Sequence, residues 1–464
     1  MFDGVRRFST FQPTHHVHDL NLQLHTGENM STTTSSKPEE LSPKQLRRAV
    51  LGGSAGVFVE FFDYGIYGFL AGTIAIVFFP PESPTAGLIM TWGIFALTFL
   101  VRPLGGMVIG AFADRVGRRS ALVLSLMLMT GSTVAIGLLP GYATVGLLAP
   151  ALLLICRLVQ GFSAGGEVAS AFSFVAENSP DHRRGFLTSL PQFGSYLAML
   201  CGTSLGVGMA AFLPEDSLQE WAWRIPFLLA GPIGLIGFWI RRTLHDTVIF
   251  RQAKQEGDTV SNPLSESLKD KETLRRVFFA ITLALLNSSG YYVLFNYMPS
   301  YLSRELNFST GDGLGVTALA VLVMLAGIPT MGALSDRIGR RKVLIGSAVA
   351  SAVLAIPSYW LMAQGSFWLA VIGALVMAAA FCGHSATINL TLAELFPTRV
   401  RGTAYSLGYN ISTALFGGAG PLVMTSLIAA TGVTSIPAYY VVLTALGTGL
   451  TAFFIAETAR KPLA

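Results

Sequence analysis

Charge is what this chain has least of. Asp, Glu, Lys and Arg together make up 12% of its 464 residues, while hydrophobic residues make up 52%. A soluble domain cannot bury that much apolar surface and a disordered segment would not carry it, so both classes are excluded. Cysteine is equally scarce. Cys156, Cys201 and Cys382 are odd in number and lie inside apolar runs, which implies no disulfide framework and leaves them as small packing residues. The period-two alternation of a membrane strand is missing, which excludes an outer-membrane barrel. No nucleophile–base set, metal-ligand cluster or phosphate-binding loop occurs, so neither an enzyme nor a bound cofactor or metal is expected.

What the chain does have is long apolar runs. Twelve follow one another, at about 51–79, 86–112, 120–140, 146–176, 185–213, 223–241, 276–303, 311–333, 342–363, 366–393, 402–430 and 436–457. Each is near or above the ~20 helical residues that span ~30 Å of hydrocarbon. The expected fold is an all-α polytopic membrane protein of twelve transmembrane helices. Cations such as Arg118, Arg183, Arg241, Arg340, Arg401 and Lys461 fall on one side of this plan, whereas the opposite loops hold Glu82, Glu215, Asp216, Glu220, Glu305 and Asp312. That bias places both termini in the cytoplasm of a cell inner membrane. It also accounts for the net charge of +5 without nucleic acid, because the cations are spread over short turns with no stacking platform.

The predicted division is a polar tail at 1–48, a six-helix half at 49–241, a charged cytoplasmic loop at 242–275 and a second six-helix half at 276–464. The tail holds His15, His16, His18 and His25, read as solvated rather than metal-bound, and Met30 is an alternative start. The halves repeat one another. GAFADRVGRR at 110–119 returns as GALSDRIGRR at 332–341, and ENSPDHRRG at 177–185 returns as ELFPTRVRG at 394–402. A parallel repeat of six spans suits a transporter with its substrate site between the halves at the midplane.

These residues resemble a known family. The motif G-x-x-x-D-R-x-G-R-R between spans two and three, doubled between eight and nine, is characteristic of the major facilitator superfamily. VEFFDYGIYGFLA (59–71), FLVRPLGG (99–106), LVQGFSAGGE (158–167) and WAWRIPF (221–227) resemble its metabolite:proton symporter family. YMPSYLS (297–303), IPAYY (436–440) and AETARKPL (456–463) look most like the proline/betaine branch. The resemblance covers about 48–460 and implies alternating access, with a proton as coupling ion. Two departures stand out. Span one reads Gly56-Val57-Phe58-Val59-Glu60-Phe61-Phe62-Asp63 where the family has G-N-x-x-E-W-F-D, and the sequence ends at Ala464 where osmosensing members continue into a coiled coil.

The resemblance also implies a cytoplasmic gate. Its expected members are Asp114, Arg115, Gly117, Arg118, Arg119, Glu177 and Arg183 in the first half. In the second they are Asp336, Arg337, Gly339, Arg340, Arg341, Glu394 and Arg399. Asp114 and Asp336 lie at helix ends beside Arg clusters, where charge-assisted bonds can latch the halves.

Transport chemistry is expected among charges inside the spans, where one ionisable group costs roughly 2.5–3.5 kcal/mol on insertion scales. Glu60 and Asp63, three residues apart, share a face of span one, and two carboxylates so close suit the loading and release of a proton. Glu167 is a further proton or gate candidate. Arg157, read as the one deep cation, is expected to hold a substrate carboxylate, or to pair with Glu60 or Asp63 until substrate arrives. Tyr64, Asn287, Tyr291 and His384 complete the expected substrate-binding set, with tyrosine faces available to a quaternary ammonium. The expected function is a proton symporter, acting as a monomer, for a small zwitterion or carboxylate of the proline/betaine type. An organic acid such as 2-oxoglutarate, shikimate or citrate is the alternative, and a channel or transporter-derived receptor has no supporting feature.

Overall fold

A long apolar run has one favourable conformation in hydrocarbon, because a helix satisfies its backbone groups internally. The computed structural model, which describes residues 43–80, 84–116, 118–242, 270–461 and 463, turns all twelve runs into helices. In the first half these are α1 (Pro43–Phe69), α2 (Pro84–Val116), α3 (Arg118–Leu138), α4 (Leu148–Ala164, resuming as Glu167–Glu177), α5 (Arg184–Phe212) and α6 (Arg224–Arg242). The second half holds α7 (Lys271–Leu283, continuing in short pieces to Arg304), α8 (Thr310–Ile338), α9 (Arg340–Met362), α10 (Phe367–Leu395), α11 (Thr398–Ser412, continuing to Thr431) and α12 (Ile436–Phe454). Among the described residues no strand occurs. Ten helical segments among the described residues are long and apolar enough to cross a membrane. The helix α5 buries the polar side chains of Thr188, Ser189, Gln192 and Ser195.

The ends follow local chemistry. Asp270 caps α7 by accepting bonds from the Glu272 and Thr273 amides, and Ser309 caps α8 by accepting from Asp312. Gly339 separates α8 from α9 at φ 105°, a left-handed turn that favours glycine. The first run is broken where continuity was expected: α1 stops at Phe69, and a short helix, Ala71–Phe78, follows. Two spans are locally unwound into π turns, Tyr292–Asn296 in α7 and Thr413–Gly418 in α11. Such bulges are frequent at functional sites.

Polarity is inverted relative to a soluble protein. Trp239, Trp360, Trp368, Leu443 and Phe454 are exposed on the outside, while Glu60, Arg157, Gln160 and His384 are fully enclosed. Lipid-facing apolar surface around a polar interior is the arrangement a bilayer selects. The halves meet most extensively along α5 and α8, and again along α2 and α11.

Candidate functional site

The buried part of α1 runs from Gly56 to Phe69 with few interruptions, so its polar residues must find partners on neighbouring helices. Asp63 is fully provided for within the first half. Its Oδ2 accepts from Arg157 Nη1 of α4 at 3.0 Å, and its Oδ1 accepts from Thr133 Oγ1 of α3 at 2.6 Å and Gln160 Nε2 of α4 at 2.7 Å. Gln160, one turn beyond Arg157, also accepts from Arg157 Nη1 at 2.8 Å. The Arg157 guanidinium lies 4.1 Å from the centroid of the Tyr67 ring, a cation–π contact.

Glu60 turns elsewhere. Three residues along a helix rotate a side chain by about 60° from its neighbour's direction, enough to reach a different helix. Its Oε1 accepts from Arg102 Nη2 of α2 at 2.7 Å, and both residues are buried. Arg102 is the correction to the sequence reading: Arg157 is not the one deep cation. The signal was present, since Arg102 sits inside the second apolar run, in the motif FLVRPLGG. The Pro103 that follows is accommodated within α2.

A break in α4 helps build this corner. At Gly165–Gly166 the helix opens, and the exposed carbonyls are taken up by side chains from both halves. Ala164 O accepts from Arg102 Nη2 at 3.1 Å, while Gly165 O accepts from Asn410 Nδ2 at 2.6 Å and Ser406 Oγ at 3.0 Å, both on α11. A Cβ at Gly165 would strike the Arg102 carbonyl and the Gly106 amide, so glycine sets the close approach of α2 and α4.

Around Glu60 and Arg102 the halves close with aromatic rings. Tyr64 and Phe99 of the first half pack against Tyr292 of α7, with centroids 5.0 Å apart for Phe99–Tyr292 and 6.5 Å for Tyr64–Tyr292. Phe61 meets Tyr291 at 4.9 Å. Several enclosed polar atoms here have no partner: Glu60 Oε2, Arg102 Nε and Nη1, and the hydroxyls of Tyr64, Tyr291 and Tyr292.

The remaining expected site residues divide. Glu167 pairs with Arg241 at the last turn of α6 through two guanidinium nitrogens, which makes Arg241 a buried partner rather than a loop cation. Asn287 is buried with Oδ1 unpartnered. His384 is fully enclosed beside Phe381 and neither ring nitrogen has a partner, so the backbone-carbonyl bond often found for a buried histidine is absent. Its neighbour Ser385 instead joins a bridge between halves that the sequence did not reveal. Gln192 Nε2 of α5 donates to Ser385 Oγ at 3.1 Å, and Asn389 Nδ2 of α10 donates to Gln192 Oε1 at 2.9 Å.

On the face where α4 ends and α5 begins, ion pairs latch the halves. Arg401 Nη1 donates to Glu177 at 2.8 Å, and Arg184 lies 3.5 Å from Glu394. Asp336 accepts from the Gly185 and Phe186 amides at 2.8 and 3.0 Å, at the start of α5, and from Arg340 at 2.8 Å. The expected Arg183 is exposed over the Phe186 ring, and Arg184 takes the inward place. Arg401, which was not among the expected gate residues, supplies the guanidinium that meets Glu177. Arg337 is exposed, whereas the Arg340 and Arg341 amides donate to Glu457. Gly339 is the turn between them. Gly117 and the side chains of Asp114, Arg115, Arg118, Arg119 and Arg399 lie outside the described residues, as do the tail histidines and most of the central loop.

At the opposite end the halves are also closed. Asn296 Nδ2 donates to Tyr64 O at 2.8 Å, and Trp92 packs on Tyr297 at 5.8 Å. With both ends shut over an enclosed polar centre, the conformation is occluded.

The chain is similar to known proteins. Residues 53–328 match the family described as Major Facilitator Superfamily, and 249–464 match that described as Sugar (and other) transporter. A proline/betaine transporter of Salmonella typhimurium is 37% identical over 90% of this chain and 85% of its own length. A citrate-proton symporter of Salmonella typhi is 36% identical over 90% of this chain and 95% of its own. Among solved structures, a proton:xylose symporter bound to 6-bromo-6-deoxy-D-glucose superposes with a TM-score of 0.75. It is 18% identical, over 91% of this chain and 98% of that one, and this likeness speaks for the fold alone.

Proposed function

We propose, from the premise that this chain belongs to the major facilitator superfamily, that it is a proton-coupled symporter of a small carboxylate-bearing solute, of the proline/betaine type. The carrying observation is Asp63, enclosed in one half and holding Arg157. Protonating Asp63 removes the counter-charge of a buried guanidinium, and an unpaired buried charge costs roughly 3–5 kcal/mol. Arg157 must then find another anion or the helices must move. That links proton binding to the opening of the halves without any cofactor, the proton being the coupling ion.

Glu167, already held by Arg241, serves as a strut. In this reading the latched face is cytoplasmic, the membrane is the inner membrane, and one chain suffices as a monomer, because both halves of the gate lie in one polypeptide. The relatives include citrate-proton symporters as well as proline/betaine transporters, so a second substrate reading is a small organic acid. Uptake of labelled proline, glycine betaine, citrate and 2-oxoglutarate into proteoliposomes under a pH gradient decides between them. Accumulation that ignores the gradient for every solute would remove the proton-coupled reading.

A further inference from the structure

Resting on that symporter reading, we propose that the Glu60–Arg102 pair is the substrate site and that it takes a small zwitterion by exchange of partners. The solute's carboxylate replaces Glu60 on Arg102, and its cationic nitrogen takes the place of the guanidinium beside Glu60.

Three observations carry this. The first is position. The Arg102 guanidinium lies 5.8 Å from the Tyr64 ring centroid and 5.4 Å from that of Phe99, rings that pack on Tyr292 of the other half, and Phe61, next to Glu60, meets Tyr291. Asp63 and Arg157 are bonded only within their own half among the described residues. A solute at the pair therefore touches both halves and can drive their closure.

The second is spare capacity. Asp63 has both oxygens engaged, whereas Glu60 Oε2 is enclosed without a partner; Arg102 Nε and Nη1 are free too, as are Arg157 Nε and Nη2, so the carboxylates make the difference. Each free Arg102 donor can take a carboxylate oxygen and Glu60 Oε2 can take a cationic head, and a buried polar atom left unmade is costly.

The third is charge. The resident pair sums to zero, and so does a zwitterion, so the exchange adds no net charge to the enclosed site. A multiply charged anion would add several, with a desolvation penalty of several kcal/mol each. The Tyr64, Phe99 and Tyr292 rings extend the match to a quaternary nitrogen, which cannot donate a hydrogen bond but is attracted by ring faces.

The test is counterflow in proteoliposomes without any proton gradient, so that coupling plays no part. Glycine betaine is compared with tert-butylacetate, in which a carbon replaces the quaternary nitrogen and the net charge becomes negative. Wild-type protein should exchange betaine and exclude the isostere by about 10-fold or more, as loss of one buried charge contact implies. Glu60→Gln should reverse the order. Equal exchange of both solutes by the wild type, or an unchanged order in Glu60→Gln, overturns the partner exchange. The wild-type comparison stands even if the variant does not fold. Citrate exchanging in place of betaine also overturns it while leaving the symporter reading intact, and no exchange of any of these solutes overturns it too, leaving the symporter reading to the gradient-driven panel of proline and 2-oxoglutarate.

Discussion

The latched face and the midplane were built from the same repeat, yet only one of them kept its symmetry. At the face, Glu177 and Glu394 are repeat partners, as are Arg184 and Arg401, and each glutamate meets the other half's arginine. Among the described residues the buried ion pairs at the midplane, Glu60–Arg102 and Asp63–Arg157, both belong to the first half, as does Glu167–Arg241 nearer the end of α6. The matching region of the second half offers tyrosines, Asn287, Ser288 and an unpaired His384. A gate must hold two halves together, and reciprocal pairs do that with equal effect from each side. A coupling site must respond to one proton and one solute, and a duplicate would compete with it.

Breaking the midplane should produce the largest effect. Asp63→Asn should lower pH-gradient-driven accumulation by about 100-fold or more, in line with loss of a buried counter-charge, while leaving counterflow. Gradient-driven accumulation that survives would move the coupling proton elsewhere. Next, Arg102→Lys should weaken solute affinity by about 10–100-fold, because a single ammonium cannot replace two donors of a planar fork. Unaltered half-saturation would return Arg102 to a structural role.

The gate should respond more mildly and evenly. Arg401→Ala and Arg184→Ala should each favour opening of the latched face by about 1–3 kcal/mol. Labelling rates of a cysteine introduced behind the latch measure this, and the double charge swap of Glu177 and Arg401 should restore closure. Singles that differ by more than about 10-fold would show that the repeat is not reciprocal in function.

The smallest effect concerns pH at the tail. Burial raises the Glu457 carboxyl, but amide donors from Ala459, Arg340, Arg341 and Thr458 outweigh it and hold the group below its ordinary range. A depressed carboxyl contributes its stabilisation above the ordinary value of about 4.3 and loses it only as pH falls through the lowered one. Between pH 5 and 8 the labelling rate should therefore not change through Glu457, and Glu457→Gln should shift it by a few-fold at most. A wild-type rate that climbs in that window and flattens in Glu457→Gln would contradict the assignment.

Much of this was legible in the chain. Helix number, order and pairing into halves follow from apolar length and from two repeated motifs, since hydrocarbon permits little else. Glu60, Asp63 and Arg157 were found because a charge inside an apolar run needs a reason. Arg102 was missed although it lies inside the second apolar run, and Arg241 because it ends the sixth, where one-dimensional reading places the membrane boundary. Gln192 and Ser385 gave no signal, being ordinary polar residues until α5 and α10 face each other.

The sequence by itself determined a twelve-span, two-half membrane protein and the small set of residues able to carry charge within it. The tertiary structure decided which charges pair. Glu60 and Asp63 share one face of α1, but rotation about that helix sends one to α2 at the junction of the halves and the other to α3 and α4. Periodicity locates a side chain on its own helix; only the packing of neighbours determines which helix it meets, and in a low-dielectric interior that choice decides its chemistry.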